Sequence, residues 1–483
     1  MNIGAVIGYL NKTYGYDLNS SYYTYIAEWR DWWTGFHRPF HHFVEMRQNK
    51  PIHRELFTLH MGKKVCEDWA SLLMNDKTRI DAGEQNQVFL LGNGTERGLF
   101  DELAFWLREN ELIERAFATG TGAAVLRFEN MLVQGGAVQP DENCRICVDY
   151  LTAENIVPLT VTPHSVQDVA FATDTVYNGK TYTYVSMHRL IGGEYVICNA
   201  YFSEEAGELK PAELPEGVAQ EYHTGSRTPL FSLISPNIVK NFYGGAGLGV
   251  SVLANALDQL KGVDLAYNNF CRDFKLGGKK VFYDQSLVQM DENGHPVTPD
   301  DIMQSLFFQL GDGCDLGENH PITEYNPSLR VEENIAGIQA ALDYLSLRVG
   351  FGTKHYQFNS SSIVTATQYN GDKQDLVQNA NKNQISIETA LIGIVRGILW
   401  AAKNLLGAEV DPETAISVNW DDSYITDAET RMGQMRDDAL SGLLPRYKYL
   451  AARYGVSEEE ARKLAEEART ENQQPELSFG GGA

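Results

Sequence analysis

Apolar positions recur at helical spacing along three early stretches and predict helices at Tyr22–Trp33, Arg54–Asn75 and Leu99–Ala118. The first is stopped near Gly35 and Pro39, and the second places Leu56, Leu59, Val65, Trp69, Leu72 and Leu73 on one face. After Gly120-Thr121-Gly122 a strand is predicted at Ala123–Phe128. From Cys144 to Phe202 the period changes to two, the alternation expected of strands. Asn178-Gly179 and Gly192-Gly193 sit where tight turns would fold this stretch into an antiparallel meander. Glu204–Ser226 is acidic and reads as loop.

The second half is patterned differently. The run Gly244–Gly249 reads as a flexible entry to a long helix, Val250–Phe274. Along it Leu253, Leu257, Leu260, Asp264, Tyr267, Cys271 and Phe274 alternate in steps of four and three, a seam for another helix. Asp264 interrupts that seam, either as a polar register device or because its turn faces solvent. Gly277–Arg330 is a small mixed insert, with strands at Lys279–Tyr283, Leu306–Leu310 and Ile322–Tyr325 and a short helix opened by Thr298-Pro299. Glu332–Val349 follows as a second helix, with Ile335, Ile338, Ala341, Leu342 and Leu345 in phase. Gly350–Thr367 has no period at all. Connections of about eighteen residues are uncommon in compact domains and tend to be functional. This one holds Gly350, Gly352, Lys354, His355 and the hydroxyl run Ser360, Ser361 and Ser362.

Asp372–Leu406 predicts a helix of about 50 Å. Its first half is rich in Asn and Gln and its second nearly all apolar, with any bend expected near Gly393 or Gly397. A strand at Ala415–Trp420 and helices at Ala428–Leu440, Arg446–Tyr454 and Glu458–Arg469 complete the pattern. Ser457 and Glu460 form a capping box for the last helix, and Glu471–Ala483 reads as a disordered tail. Segregated helices and an antiparallel sheet make the expected class α+β.

Charge narrows the function. The net charge is −24, from 64 acidic against 40 basic residues, whereas a protein that grips nucleic acid through its phosphates should be basic. A repressor or nuclease is disfavoured, but a channel through which DNA slides is served by a repelling wall. Cys144 and Cys147 are the only close cysteine pair and lack the second pair of a zinc ribbon. His37, His41, His42, His53 and His60 match no metal-binding spacing. Gly244–Gly249 fits neither a Walker loop nor a dinucleotide fingerprint. No hydrolase elbow, metalloprotease or kinase signature occurs. Neither a cofactor nor a metal is expected. The start has no basic leader, and the most apolar run, Ile387–Trp400, is interrupted by Glu388 and Arg396, so no membrane segment is expected.

Leu345–Phe358, followed by Ile363-Val-Thr-Ala-Thr-Gln368, resembles the tunnel-loop region of portal proteins from long-tailed bacteriophages. Lys63–Leu73, ending in Trp69-Ala-Ser-Leu-Leu73, resembles a helix of their wing domain, and Phe270–Phe282 resembles their stem helix entering the clip. The resemblance implies a wing at 1–246, a stem helix at 247–276, a clip at 277–331 and a second stem helix at 332–349. It further implies a tunnel loop at 350–371, a long helix and wing return at 372–425, a crown at 426–470 and a tail at 471–483. Such subunits close into head-to-tail rings of about twelve copies. They serve as the head–tail connector for DNA packaging and ejection, without enzymatic activity. The implied partners are the terminase large subunit, a head–tail adaptor, the major capsid and scaffolding proteins, and double-stranded DNA in the channel. The implied location is the portal vertex of the virion, with assembly in the host cytoplasm.

Under that resemblance the loop lines the narrowest part of the channel. Lys354 or His355 would lie near phosphates, with Ser360–Ser362 touching them weakly. The competing expectation is that Lys354 and His355 pair with acidic groups of the neighbouring subunit and only fix the loop. Asp258, Asp264 and Asp343 are the candidate acidic wall residues, or else are solvated on an outer face. A cytoplasmic scaffold protein without a channel is the alternative function, and a nucleotide-dependent enzyme would need Gly244–Gly249 to bind phosphate.

Overall fold

The computed structural model describes residues 2–47, 50–93, 96–141, 143–205, 208–215, 217–284, 289–290, 292, 296–297, 307–310, 322–357, 374–420, 428–454 and 456–471. The chain is a mixed α and β structure. Its largest sheet has the strand order Leu132–Gln134, Ala137–Gln139, Glu221–His223, Glu194–Glu205, Lys180–Ile191, Val166–Tyr177, Ile156–Val161, with Glu208–Ala212 added beside Glu194–Glu205. The predicted hairpins hold, Lys180 pairing with Tyr177 and Ile191 with Glu194. Asn178 and Gly179 both take positive φ, as the tight turn requires.

Alternation along these strands feeds two separate cores. Val169 and Phe171 face the main core, while Ala170 and Ala172 face a smaller one, and Ile197 and Cys198 divide in the same way. The smaller core is closed by a helix that the sequence pattern did not predict, Ile3–Tyr14, through Val6, Ile7 and Leu10. Strand residues point alternately to opposite faces, so a sheet covered on both sides must be apolar on both.

Several boundaries moved for identifiable reasons. The predicted helix Arg54–Asn75 begins only at Met61, because Lys50–Glu55 pairs with His42–Arg47 as a two-stranded hairpin. Leu99–Ala118 is split into Leu99–Glu102 and Phe105–Thr119 at Ala104, which has a φ of 49°. Glu204–Ser226 contributes two short strands rather than loop alone. The helix expected from Val250 starts at Leu257. Before it, Ser251 Oγ and Val252 N both donate to Phe117 O, at 3.0 Å each, and hold the chain in turns. Gly62 lies in a helix because a Cβ there would sit 2.2 Å from Trp32 O of the crossing helix Tyr22–Thr34.

The helices Leu257–Leu276 and Val331–Arg348 pack against each other, so part of the predicted seam finds a partner within the chain, while Phe274 at its end stays exposed. Asp273 ties their far ends, accepting from Arg330 Nη2 and Asn334 Nδ2 at 2.8 Å each. Between them lies a three-stranded sheet of Phe307–Leu310, Lys280–Asp284 and Ile322–Tyr325. The short helix expected from Thr298-Pro299 lies outside the described residues.

Gln374–Leu405 is one continuous helix. Contrary to the sequence expectation, it is long and apolar enough by composition to cross a membrane, but 61% of its most apolar window is buried inside the chain. Ile387, Leu391, Ile394, Ile398 and Leu405 join the main core. Gly393 and Gly397 admit close neighbours there: a Cβ at Gly393 would lie 3.2 Å from Ser232 Oγ, and one at Gly397 3.2 Å from Pro229 O. Ser232 Oγ also donates to Ala390 O at 2.6 Å. The terminal helices Ala428–Ser441, Arg446–Tyr454 and Glu458–Glu471 pack on one another. Their capping box is formed, Glu460 N donating to Ser457 Oγ and Ser457 N to Glu460 Oε2, both at 3.3 Å.

Candidate functional site

The described part of the long loop, Gly350–Gln357, is folded back onto the chain. Gly350 leaves its helix at a φ of 92°, and Gly352 turns again at 77°. Between them Phe351 is buried and stacked on Trp69, with ring centroids 4.7 Å apart and planes 19° apart. His355 stacks on the other face of this segment, 4.3 Å from the Phe351 centroid. Trp69 Nε1 donates to Val349 O at 3.2 Å, and Asn379 Nδ2 donates to Gly350 O at 3.0 Å. Three separate helices therefore hold the root of the loop.

Asp68 is the polar centre of this root. Tyr356 donates to its Oδ2 at 3.0 Å, His355 Nε2 lies 3.9 Å away, and Lys64 pairs with its Oδ1. Burial opposes ionisation of Asp68, but hydrogen bonds from His355, Lys64 and Tyr356 outweigh it and hold the carboxyl below the usual range. Burial, with the Asp68 charge, drives the Tyr356 hydroxyl far upward, so it remains a donor. Gln339 Nε2 bridges Tyr356 O at 2.7 Å and Asp343 Oδ1 at 2.9 Å.

The predicted site residues thus separate. His355 stacks on Phe351 and lies 3.9 Å from Asp68 of its own chain rather than of a neighbouring subunit, and it stays exposed. Lys354 is exposed, has no ion pair among the described residues, and adopts a φ of 65°, a strained value for a non-glycine residue. Ser360, Ser361 and Ser362 lie outside the described residues. Asp258 is exposed beside Lys261 at 3.0 Å, and Asp343 is half-buried.

Asp264 requires a correction, because it is only 4% exposed and cannot face a channel. Its carboxylate accepts from Leu59 N at 2.8 Å, Thr58 Oγ1 at 3.2 Å and His41 Nε2 at 3.0 Å. His41 Nδ1 lies 2.8 Å from His37 N and 3.0 Å from His37 O, which orients the ring with Nε2 toward Asp264. The interruption in the apolar seam is a buried polar anchor for the hairpin segment.

The Gly244–Gly249 run is also filled from within. Lys240 Nζ donates to Gly245 O and to Leu248 O (3.0 Å for the latter), and lies 4.2 Å from the centre of the Tyr22 ring. These turns offer carbonyl oxygens to a cation, the opposite of a phosphate cradle. Among the described residues, no group of three or more His, Cys, Asp or Glu is placed to hold a metal.

Several cavities open among the described residues, one of about 380 Å³ beside Ser235, Pro236 and Ile385. A cleft of about 440 Å³ opens between the largest sheet and a three-stranded sheet of Phe231–Ile234, Gly122–Glu129 and Arg145–Thr152, near Leu126, Phe128, Phe171 and Tyr222. Its charged pair is self-neutralising, Arg127 Nε lying 3.2 Å from Asp149 Oδ2. Another cavity, of about 190 Å³, lies at the loop root between Arg348, Gly350, Asn379, Lys382 and Asn383. The residues of this cavity were missed in the sequence, although the Asn-rich start of the long helix was the visible signal. In comparisons with known proteins, no family model and no curated protein matches the chain.

Proposed function

We propose that the chain is the subunit of a portal ring, the head–tail connector of a long-tailed bacteriophage, through which DNA is packaged and ejected. The observation that supports this most is the helix pair Leu257–Leu276 and Val331–Arg348. Its shared seam is covered only in part within the chain: Phe274 and Ile335 of the predicted faces, with Leu265, Tyr344 and Leu347, remain exposed, Tyr344 by 69%. Leu265 and Phe274, like Ile335 and Tyr344, lie about half a turn apart around their helices, so apolar side chains are wet on more than one side, and copies standing side by side around an axis would supply a neighbour on each flank. The small sheet at the far end of the pair then forms the narrow end of the ring, where the terminase large subunit and a head–tail adaptor would dock. Capsid and scaffolding proteins would surround the ring, and the acidic character of the chain suits a wall past which DNA slides.

The test is native mass spectrometry with negative-stain microscopy of the purified full chain. Closed rings of about twelve copies are expected. Leu265→Ser combined with Leu347→Ser should give monomers with unchanged circular dichroism, since both side chains are exposed in the single chain. A wild-type chain that stays monomeric at the highest attainable concentration overturns the reading.

A further inference from the structure

We propose that the cavity at the loop root is a phosphate-binding pocket, occupied by a backbone phosphate of double-stranded DNA. The source of the phosphate rests on the channel reading above, whereas the anion chemistry rests on the pocket alone. In a chain with 64 acidic residues, no carboxylate among the described residues lines this cavity, but Arg348 and Lys382 both do. Neither cation has an ion pair among the described residues, so two like charges, both on exposed side chains, border one space. A bound anion removes that repulsion.

The neutral groups are oriented to match. Arg348 Nε donates to Asn255 O at 2.7 Å, which fixes the guanidinium and leaves its terminal nitrogens to donate elsewhere. Asn383 is 93% buried, and its Oδ1 accepts from Asn237 N at 2.9 Å. What Asn383 can still offer is its NH2 group, a donor. Asn237 Nδ2 in turn donates to Lys382 O at 2.8 Å and binds the two elements together. Trp69 and Val349 supply an apolar floor. A guanidinium, an ammonium and an amide on residues that line about 190 Å³ suit a tetrahedral oxyanion. The pocket includes Gly350, so an occupied site would brace the point from which the loop departs.

The full chain is titrated with a 30-base-pair duplex over a range of salt, and separately with inorganic phosphate, using wild type, Lys382→Gln and Arg348→Gln. Lys382 is exposed, so its substitution leaves the fold intact. Each variant should bind duplex about tenfold more weakly or worse, the cost of a lost charge-assisted hydrogen bond. The slope of log K against log salt should fall by about 0.9 for each phosphate contact removed. Lys261→Gln, outside the pocket and paired with Asp258, should leave both unchanged. Rings that form normally while neither variant alters duplex or phosphate binding overturn the pocket and leave the channel reading standing. Phosphate binding that both variants weaken, with duplex binding unaffected, overturns DNA as the source and assigns the pocket to a free phosphate. A chain without rings whose phosphate binding is still lost in the variants overturns the channel reading alone.

Discussion

Replacing Glu109 by Gln should stabilise the protein, and by an amount that depends on pH. Glu109 lies on the Phe105–Thr119 helix, is fully buried, and neither carboxylate oxygen has a hydrogen-bond partner among the described residues. The Tyr150 hydroxyl is similarly buried without a partner. Burial alone raises the Glu109 carboxyl from its ordinary 4.5 to about 8. A group whose folded pKa is raised contributes stability that is complete below the unfolded value and is lost as pH rises through the folded value. The loss therefore develops between pH 4.5 and about 8. At full ionisation it amounts to roughly 5 kcal/mol by linkage, of which roughly 3 kcal/mol is already lost at pH 7. Gln has the same shape, no titration and a similar polar burden, so the variant should match wild type at pH 4. It should be more stable by roughly 3 kcal/mol at pH 7. Urea unfolding of both proteins from pH 4 to 9, in the same assembly state, measures the difference. Parallel pH curves would refute the reasoning. A variant less stable than wild type at pH 8 would also refute it, because Glu109 would then be ionised and paired.

Asp264→Ala leaves His41, Thr58 and the Leu59 amide without their buried acceptor, and should cost roughly 3–5 kcal/mol. Thermal unfolding checks this, and a loss below about 1 kcal/mol would return Asp264 to the surface role the sequence suggested. Trp69→Ala removes the stacking partner of Phe351 and the donor to Val349 O, at roughly 3–5 kcal/mol. It should also release Gly350–Gln357, read as faster proteolysis at Lys354, and unchanged cleavage there would show that the stack does not hold the loop.

Much of the architecture was legible because it is local. Helix and strand periods marked the helix Tyr22–Thr34, the meander through Lys180–Ile191 and the helix Val331–Arg348 nearly to their observed ends. Turn chemistry at Asn178-Gly179 and the Ser457–Glu460 box are decided within four residues, so their neighbours in sequence are sufficient. The loop at Gly350 stood out for the same reason, as the place where every period stops.

What the sequence did not determine depends on partners far along the chain. The Arg54–Asn75 stretch has helical spacing throughout, but residues 50–55 find a strand partner in 42–47, and ladder hydrogen bonds outweigh weak helix propensity. Asp264 reads as a flaw in a seam until Leu59 and His41, more than two hundred residues earlier, bring a donor amide and an imidazole to its carboxylate. His355 reads as an outward cation until Phe351 and Asp68 meet it on one side. The pocket of Arg348, Lys382 and Asn383 exists only because two helices meet beside the Asn237 turn. Period and propensity report how a segment will fold, since they express contacts a few residues apart. Burial of a charge and convergence of donors depend on long-range packing, and only the tertiary structure decided them.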